Sequence, residues 1–177
     1  KKIDVPQKVF PVLGLSYIAE CEEKMKNALI IASVASMIDQ FNMSNIRILQ
    51  ELGYQVDVAC NYIEGSTCTK ERIADLKRKL KRWGVDCFQV DFARSVTNFK
   101  QNKRAYQQLK VLAKKKDYSL VHCHAPISGA LGRVVFQKER KRGTSVIYTA
   151  HGFHFFQGAP LKNWMLYYPV EKFLSRW

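Results

Sequence analysis

From residue 28 onward, short apolar runs alternate with longer amphipathic stretches, and this pattern constrains the fold more than any other feature of the chain. Alternation of this kind builds successive βαβ units around a parallel sheet. Residues 28–34 (ALIIASV) are apolar without a break, as a strand buried on both faces must be. Residues 41–52 then place Ile46, Leu49 and Leu52 on one side of a helix that Gly53 ends. Residues 55–60 (QVDVAC) read as the second strand, and Thr69 caps a helix running to Trp83, with Ile73, Leu76 and Leu80 inward and Gly84 as its stop. A third strand over 87–92, a basic helix over 102–115 and a fourth strand over 119–124 (SLVHCH) follow. A helix over 128–142 turns Leu131, Val134 and Val135 inward and ends at Gly143, before a fifth strand over 145–150 (SVIYTA). Pro160 suits the first position of a final helix, which Pro169 interrupts. The expected fold class is α/β, a Rossmann-like doubly wound parallel sheet, in which ligands bind beyond the carboxyl ends of the strands.

With 177 residues the chain is long enough for one domain with a sizeable core. Its charge is unusual: 29 Lys and Arg against 15 Asp and Glu give a formal +14. Such a surface attracts nucleic acid, a phosphorylated substrate or an anionic membrane face, unless the basic residues merely solvate helix faces over 70–82 and 137–142. Five cysteines, an odd number without a CxxC spacing, fit a reducing compartment, with Cys60, Cys87 and Cys123 as small core hydrophobes. The N-terminal uncharged run, residues 9–19, is broken by Pro11 and Gly14 and is shorter than the roughly 20 residues of a membrane span. No small-x-small cleavage site follows Ala19, so a cytoplasmic location is expected. Residues 1–24 read as an extension without assigned function, and Met25 as a possible true start of a domain over 25–177.

All four histidines fall at or beside two strand ends. The turn after the first strand has no GxGxxG and the chain no Walker loop, which excludes dinucleotide and P-loop chemistry. His122 and His124 alternate onto one strand face, a spacing found in metal hydrolases, and His151 and His154 could complete such a site. No carboxylate lies between Asp117 and Glu139, or between Glu139 and Glu171, to fill out a catalytic metal's ligand set. No metal is therefore expected; His122 reads as a core histidine, and His124, last on its strand, as facing the cleft. A nucleophile elbow is missing too, since Ser128 lacks the GxSxG frame and Cys123 points away from the histidines. What remains is Thr149, Ala150, His151 and Gly152, followed by Phe153, His154, Phe155 and Phe156. Aromatic faces beside imidazoles suit a sugar, unless the phenylalanines simply bury themselves under the final helix.

Three segments carry a family resemblance: 25–48 (MKNALIIASVASMIDQFNMSNIRI), 120–132 (LVHCHAPISGALG) and above all 146–168 (VIYTAHGFHFFQGAPLKNWMLYY). Together they resemble the N-terminal, acceptor-side domain of family 4 glycosyltransferases of the bacterial capsular and exopolysaccharide type. The resemblance implies one half of a GT-B glycosyltransferase, the other half binding the nucleotide sugar. It implies retaining glycosyl transfer of the hexosyl type from a nucleotide sugar to a lipid-linked saccharide acceptor, without metal or other cofactor. His151 matches the histidine that reaches the donor sugar at the reaction centre. His124, Pro126, Ser128 and Gly129, with Gly152 and His154, match the acceptor side and cleft lining, and Ser36 and Met37 fall in the loop that shapes the cleft floor. Many relatives have glycines in that loop, and this chain has none. The family is roughly twice this length, so the resemblance also implies half an enzyme without turnover of its own, the glutamate pair that holds the donor lying in the other half. Arg94, Lys100, Lys103 and Arg104 are the residues expected to meet an anionic membrane surface, peripherally on its inner face. Two other readings stay open: a non-enzymatic basic module for nucleic acid or anionic surfaces, and a metal-dependent hydrolase using His122 and His124. The aromatics gather around His151 while the basic stretches are aromatic-poor, which favours sugar over nucleic acid.

Overall fold

The structure is a computed structural model that describes residues 25–176. The extension read over residues 1–24 lies outside the described residues. Five parallel strands, β1 (Lys26–Val34), β2 (Tyr54–Asn61), β3 (Asp86–Gln89), β4 (Tyr118–His124) and β5 (Ser145–Thr149), stand in the order β3-β2-β1-β4-β5. Helices α1 (Ala35–Phe41), α2 (Met43–Glu51), α3 (Lys70–Arg82), α4 (Phe99–Lys115), α5 (Pro126–Val135), α6 (Gln137–Arg140) and α7 (Leu161–Leu174) make the connections and the outer layers. The chain reverses direction across the sheet between β1 and β4, the place where a doubly wound sheet opens a crevice.

The unbroken apolar run of β1 feeds two cores at once. Ala28, Ile30 and Ala32 pack with Val56, Val58, Ile46 and Leu80 on one face. Leu29 and Ile31 pack with Val121, Cys123, Leu109 and Phe136 on the other. Between them a carboxylate breaks the apolar pattern of β2: Asp57 is fully buried and accepts from Lys116 Nζ at 2.8 and 3.0 Å and from Tyr118 OH at 2.7 Å. A buried charge is tolerable only when partnered in this way. Burial alone would lower the Lys116 ammonium, but the Asp57 and Asp86 carboxylates more than offset it and hold its pKa above the ordinary lysine range.

Several sequence expectations hold closely. Thr69 Oγ1 accepts from the Arg72 amide as the N-cap of α3, and Gly53, Gly84 and Gly143 take the positive φ that closes helices. Others need correction. The segment after β1 is no loop: α1 begins at Ala35, because nothing there breaks a helix, and places Ser36 and Met37 in its first turn. Leu52 and Val134 are exposed: α2 ends at Glu51, one residue short of Leu52, and Val134 stands on the outer side of α5, whose Gly132, Arg133 and Val135 are the buried ones. β3 stops at Gln89, and the helix read over 128–142 starts at Pro126 and divides at Phe136. Pro160 is the N-cap of α7, and Pro169 lies inside that helix without interrupting it. A side-chain lock between α5 and α7, described below, holds that helix in place across the proline.

Candidate functional site

The carboxyl ends of β4 and β5 bring three imidazoles together. Alternation on β4 turns His122 and His124 to the same side, with ring centroids 4.1 Å apart. His122 Nε2 bonds Thr149 Oγ1 at 2.8 Å on the neighbouring strand, and His124 Nδ1 lies 3.1 Å from His151 Nε2. His124 is 2% exposed while His151 is exposed and tilts against the ring of Phe41, 5.1 Å between centroids. His124 therefore does not face the cleft as its terminal position on the strand suggests; it lies beneath His151. Burial, and then the neighbouring His122 and His151, push its pKa down to about 3, so it is neutral. Burial chiefly, with His151, lowers His122 as well.

His124 Nε2 has no hydrogen-bond partner. A buried unpaired N–H is rarer in proteins than a buried unpaired lone pair, which assigns the proton of His124 to Nδ1. That N–H then donates to His151 Nε2 and leaves His151 with its own proton on Nδ1.

The chain leaves β4 through Ala125, whose φ of 65° is unusual for a residue with a side chain, and turns sharply into α5 at Pro126. Ser128 is fully buried; its hydroxyl donates to the His124 carbonyl and meets Ser33 Oγ at 2.8 Å. Gly129 packs flush against the ring of Tyr148, where a Cβ would collide. Both residues thus build the wall from behind, and Pro126, Gly152 and His154 are the more accessible positions read from the same segments. Ser36 is buried as well, its amide bonded to Ser66 Oγ at 3.2 Å and its Oγ reached by the Thr67 amide at 3.5 Å, so it fastens the loop after β2. Met37 packs against the core on the β1–β2 side.

His154 stacks on Tyr167 at 4.5 Å, and Phe155 lies between Phe153, Trp164 and Tyr168. Phe153 and Phe156 are about half exposed or more, at 49% and 61%, so they are not buried under α7. The Arg133 guanidinium, 6% exposed, fixes α7: it donates to Gly129 O and to Glu171 Oε2 at 2.8 Å and lies 4.2 Å over the Tyr148 ring, while Tyr148 OH donates to Glu171 Oε1. Nothing in the sequence pattern distinguishes Arg133 from the surface arginines around it.

The four basic residues separate. Arg94 is exposed, its stem against Gly65 and its NH1 donating to Gly65 O at 3.0 Å. Lys100 and Arg104 line a polar recess of about 410 Å³ with Asn61, Glu64, Asp91 and Gln101. Arg104 is paired there with Asp91 at 3.4 Å. Lys103 is exposed on α4. Among the described residues no group of three His, Cys, Asp or Glu side chains is placed to hold a metal ion. His122 Nε2 is engaged by Thr149 and His124 Nδ1 by His151. Among the described residues no helix is long and apolar enough to cross a membrane.

A doubly wound parallel sheet with its histidines and aromatics at the carboxyl ends of β4 and β5 is the fold of one half of a GT-B glycosyltransferase. The sequence model described as glycosyl transferase 4-like matches residues 29–176, and the chain belongs to that family as an N-terminal domain. It is 40% identical over 150 residues to a protein of Bacillus subtilis (strain 168) assigned as glycosyltransferase EpsD. That match covers 85% of this chain and 35% of EpsD, so the chain spans about a third of its relative's length. Among solved structures, MurG of Acinetobacter baumannii superposes with a TM-score of 0.53 at 15% identity, over 85% of this chain and 39% of MurG. Sucrose-phosphate synthase of Thermosynechococcus elongatus gives a TM-score of 0.49 at 15% identity, over 84% of this chain and 40% of the synthase.

Proposed function

We propose that this chain is the acceptor-side domain of a retaining glycosyltransferase that moves a hexosyl group from a nucleotide sugar to a lipid-linked saccharide in exopolysaccharide or capsular polysaccharide synthesis. The observation that carries the reading is the exposed His151 at the end of β5, held from below by the neutral His124. With His151 Nε2 taken, its Nδ1–H is the group that donates to the donor sugar at the reaction centre, and the Phe41 ring limits the rotation of the imidazole. Pro126, Gly152 and His154 border the acceptor, and Ser128 and Gly129 hold that border rigid from behind. No metal or other cofactor enters this reading, and the reaction takes place on the cytoplasmic face of the membrane. The likeness to a protein assigned as glycosyltransferase EpsD supports the transferase part of this reading.

The test uses the polypeptide in which this sequence is joined to a nucleotide-sugar domain, incubated with nucleotide sugars and a membrane-lipid extract. Nucleotide release that falls at least about a hundredfold in His151→Ala is expected. Release at the parental rate in that variant, or none with any donor, overturns the reading. The 177 residues alone are expected to show no turnover, because the resemblance puts the donor-holding glutamates in the other half.

A further inference from the structure

Between α4, α5, α7 and the loop carrying Phe153 and Phe155 lies a cavity of about 240 Å³. Ile127, Ala130, Leu131, Phe155, Leu166 and Val170 give it an almost wholly carbon wall. Its polar neighbours are mostly spoken for. Glu171 is held by Arg133 and Tyr148, and the Asn102 amide donates to the Ser95 and Val96 carbonyls, leaving Asn102 Oδ1 as a buried acceptor without a partner. The cavity has a neighbour. Val96, Pro126, Ile127, His154 and Tyr167 wall it and also wall a second recess of about 200 Å³ that reaches Ser33, Gly65 and Arg94 at the strand ends. An apolar hole therefore lies next to a cleft that carries a guanidinium, the two sharing five residues of wall.

A saccharide would leave its hydroxyls facing carbon in such a hole. A free anion would gain nothing from it. The ligand that uses both parts has a hydrocarbon chain attached to a phosphate, and the fork of Arg94 suits a phosphate's oxygens. We propose that this cavity takes the chain segment next to the phosphate of a lipid phosphate and that Arg94 takes the phosphate, the anionic partner being drawn to a chain of formal charge +14. The proposal rests on the acceptor-side reading above and gives Arg94 a role inside the cleft rather than at the membrane surface.

The experiment titrates the 177-residue chain by calorimetry with geranyl phosphate, geraniol and inorganic phosphate, all below any micellar concentration. Geranyl phosphate is expected to bind, geraniol about tenfold more weakly or worse, and inorganic phosphate without saturation. Arg94→Ala should make geranyl phosphate no better than geraniol. Ala130→Trp, which fills the hole, should weaken geranyl phosphate at least about tenfold with the far-ultraviolet dichroism unchanged. Should that variant not fold, Ala130→Met is the milder substitute, with the same direction expected. Geranyl phosphate failing to bind, binding equally to the parent and both variants, or being matched by inorganic phosphate overturns the proposal. The transferase reading fails separately: nucleotide release with water-soluble saccharides but no geranyl phosphate binding removes the lipid site alone. Geranyl phosphate binding with no nucleotide release under any conditions removes the transferase alone.

Discussion

His124 Nδ1 lies 3.1 Å from His151 Nε2, so a buried neutral imidazole on one strand sets the angle and tautomer of an exposed one on the next. If that contact positions the reacting histidine, the two residues differ in what their loss does. His151→Ala should lower kcat/KM of the two-domain enzyme by about 10²- to 10⁴-fold. His124→Leu, which removes the donor but keeps the bulk, should cost about tenfold and fall mainly on kcat. His124→Asn, whose amide nitrogen can stand where Nδ1 stood, should recover most of it; recovery equal to that of Leu would assign His124 to packing alone.

The same burial has a signature in acid. His124 titrates near 3 in the fold, and His122 is lowered too, whereas an unfolded histidine titrates near 6.5. The unfolded chain therefore binds more protons across that window, and stability is lost as pH falls from about 6.5 toward 3, with a slope approaching ~1.4 kcal/mol per pH unit for His124 alone. Urea midpoints measured from pH 7.5 to 4.5 should show this loss, and His124→Asn should flatten it.

Gly129 has no room for a side chain because the Tyr148 ring occupies the place a Cβ would take. Gly129→Ala should destabilise by about 1–3 kcal/mol, seen as a lower Tm. Pairing it with Tyr148→Leu should recover part of the loss, since the obstacle is the ring.

The buried Arg133 pairs with the largely covered Glu171 at 2.8 Å, their side chains 6% and 15% exposed. Arg133→Met leaves a carboxylate uncompensated between α5, α7 and β5 and should cost about 3–5 kcal/mol in chemical denaturation. The double variant Arg133→Met with Glu171→Met should lose less than the sum of the singles, and an additive result would show that the pair is not coupled.

The strand ends and the clustering of histidines were legible because both follow from local pattern. Continuous apolar runs mark two-faced burial, and a residue just after such a run must lie at a strand end. That reasoning found His151 and His124 but misjudged the exposure of His124, since alternation gives the side of a strand and not the depth beneath a neighbouring strand. Phe41 read as a helix start, and only the early onset of α1 at Ala35 brings its ring to His151. Asp57 sat within an apolar run with nothing to announce it; its partners Lys116 and Tyr118 lie 59 and 61 residues further along. Arg133 was hidden in the same way, because a buried arginine and a solvated one are identical in sequence.

The central position of β1 also governs the order in which the chain can assemble. Ile30 pairs with Val58 on one side and with His122 on the other, so the second partner arrives about ninety residues after the first strand has been made. At a synthesis rate of about 5–20 residues per second, the ALIIASV segment waits about 5–20 s before both of its edges and both of its faces can be covered. For most of that interval, even after β2 has been made, one edge of this highly β-prone strand stays open. The feature that makes this sheet legible from sequence is therefore also the one that leaves the nascent chain most in need of a chaperone.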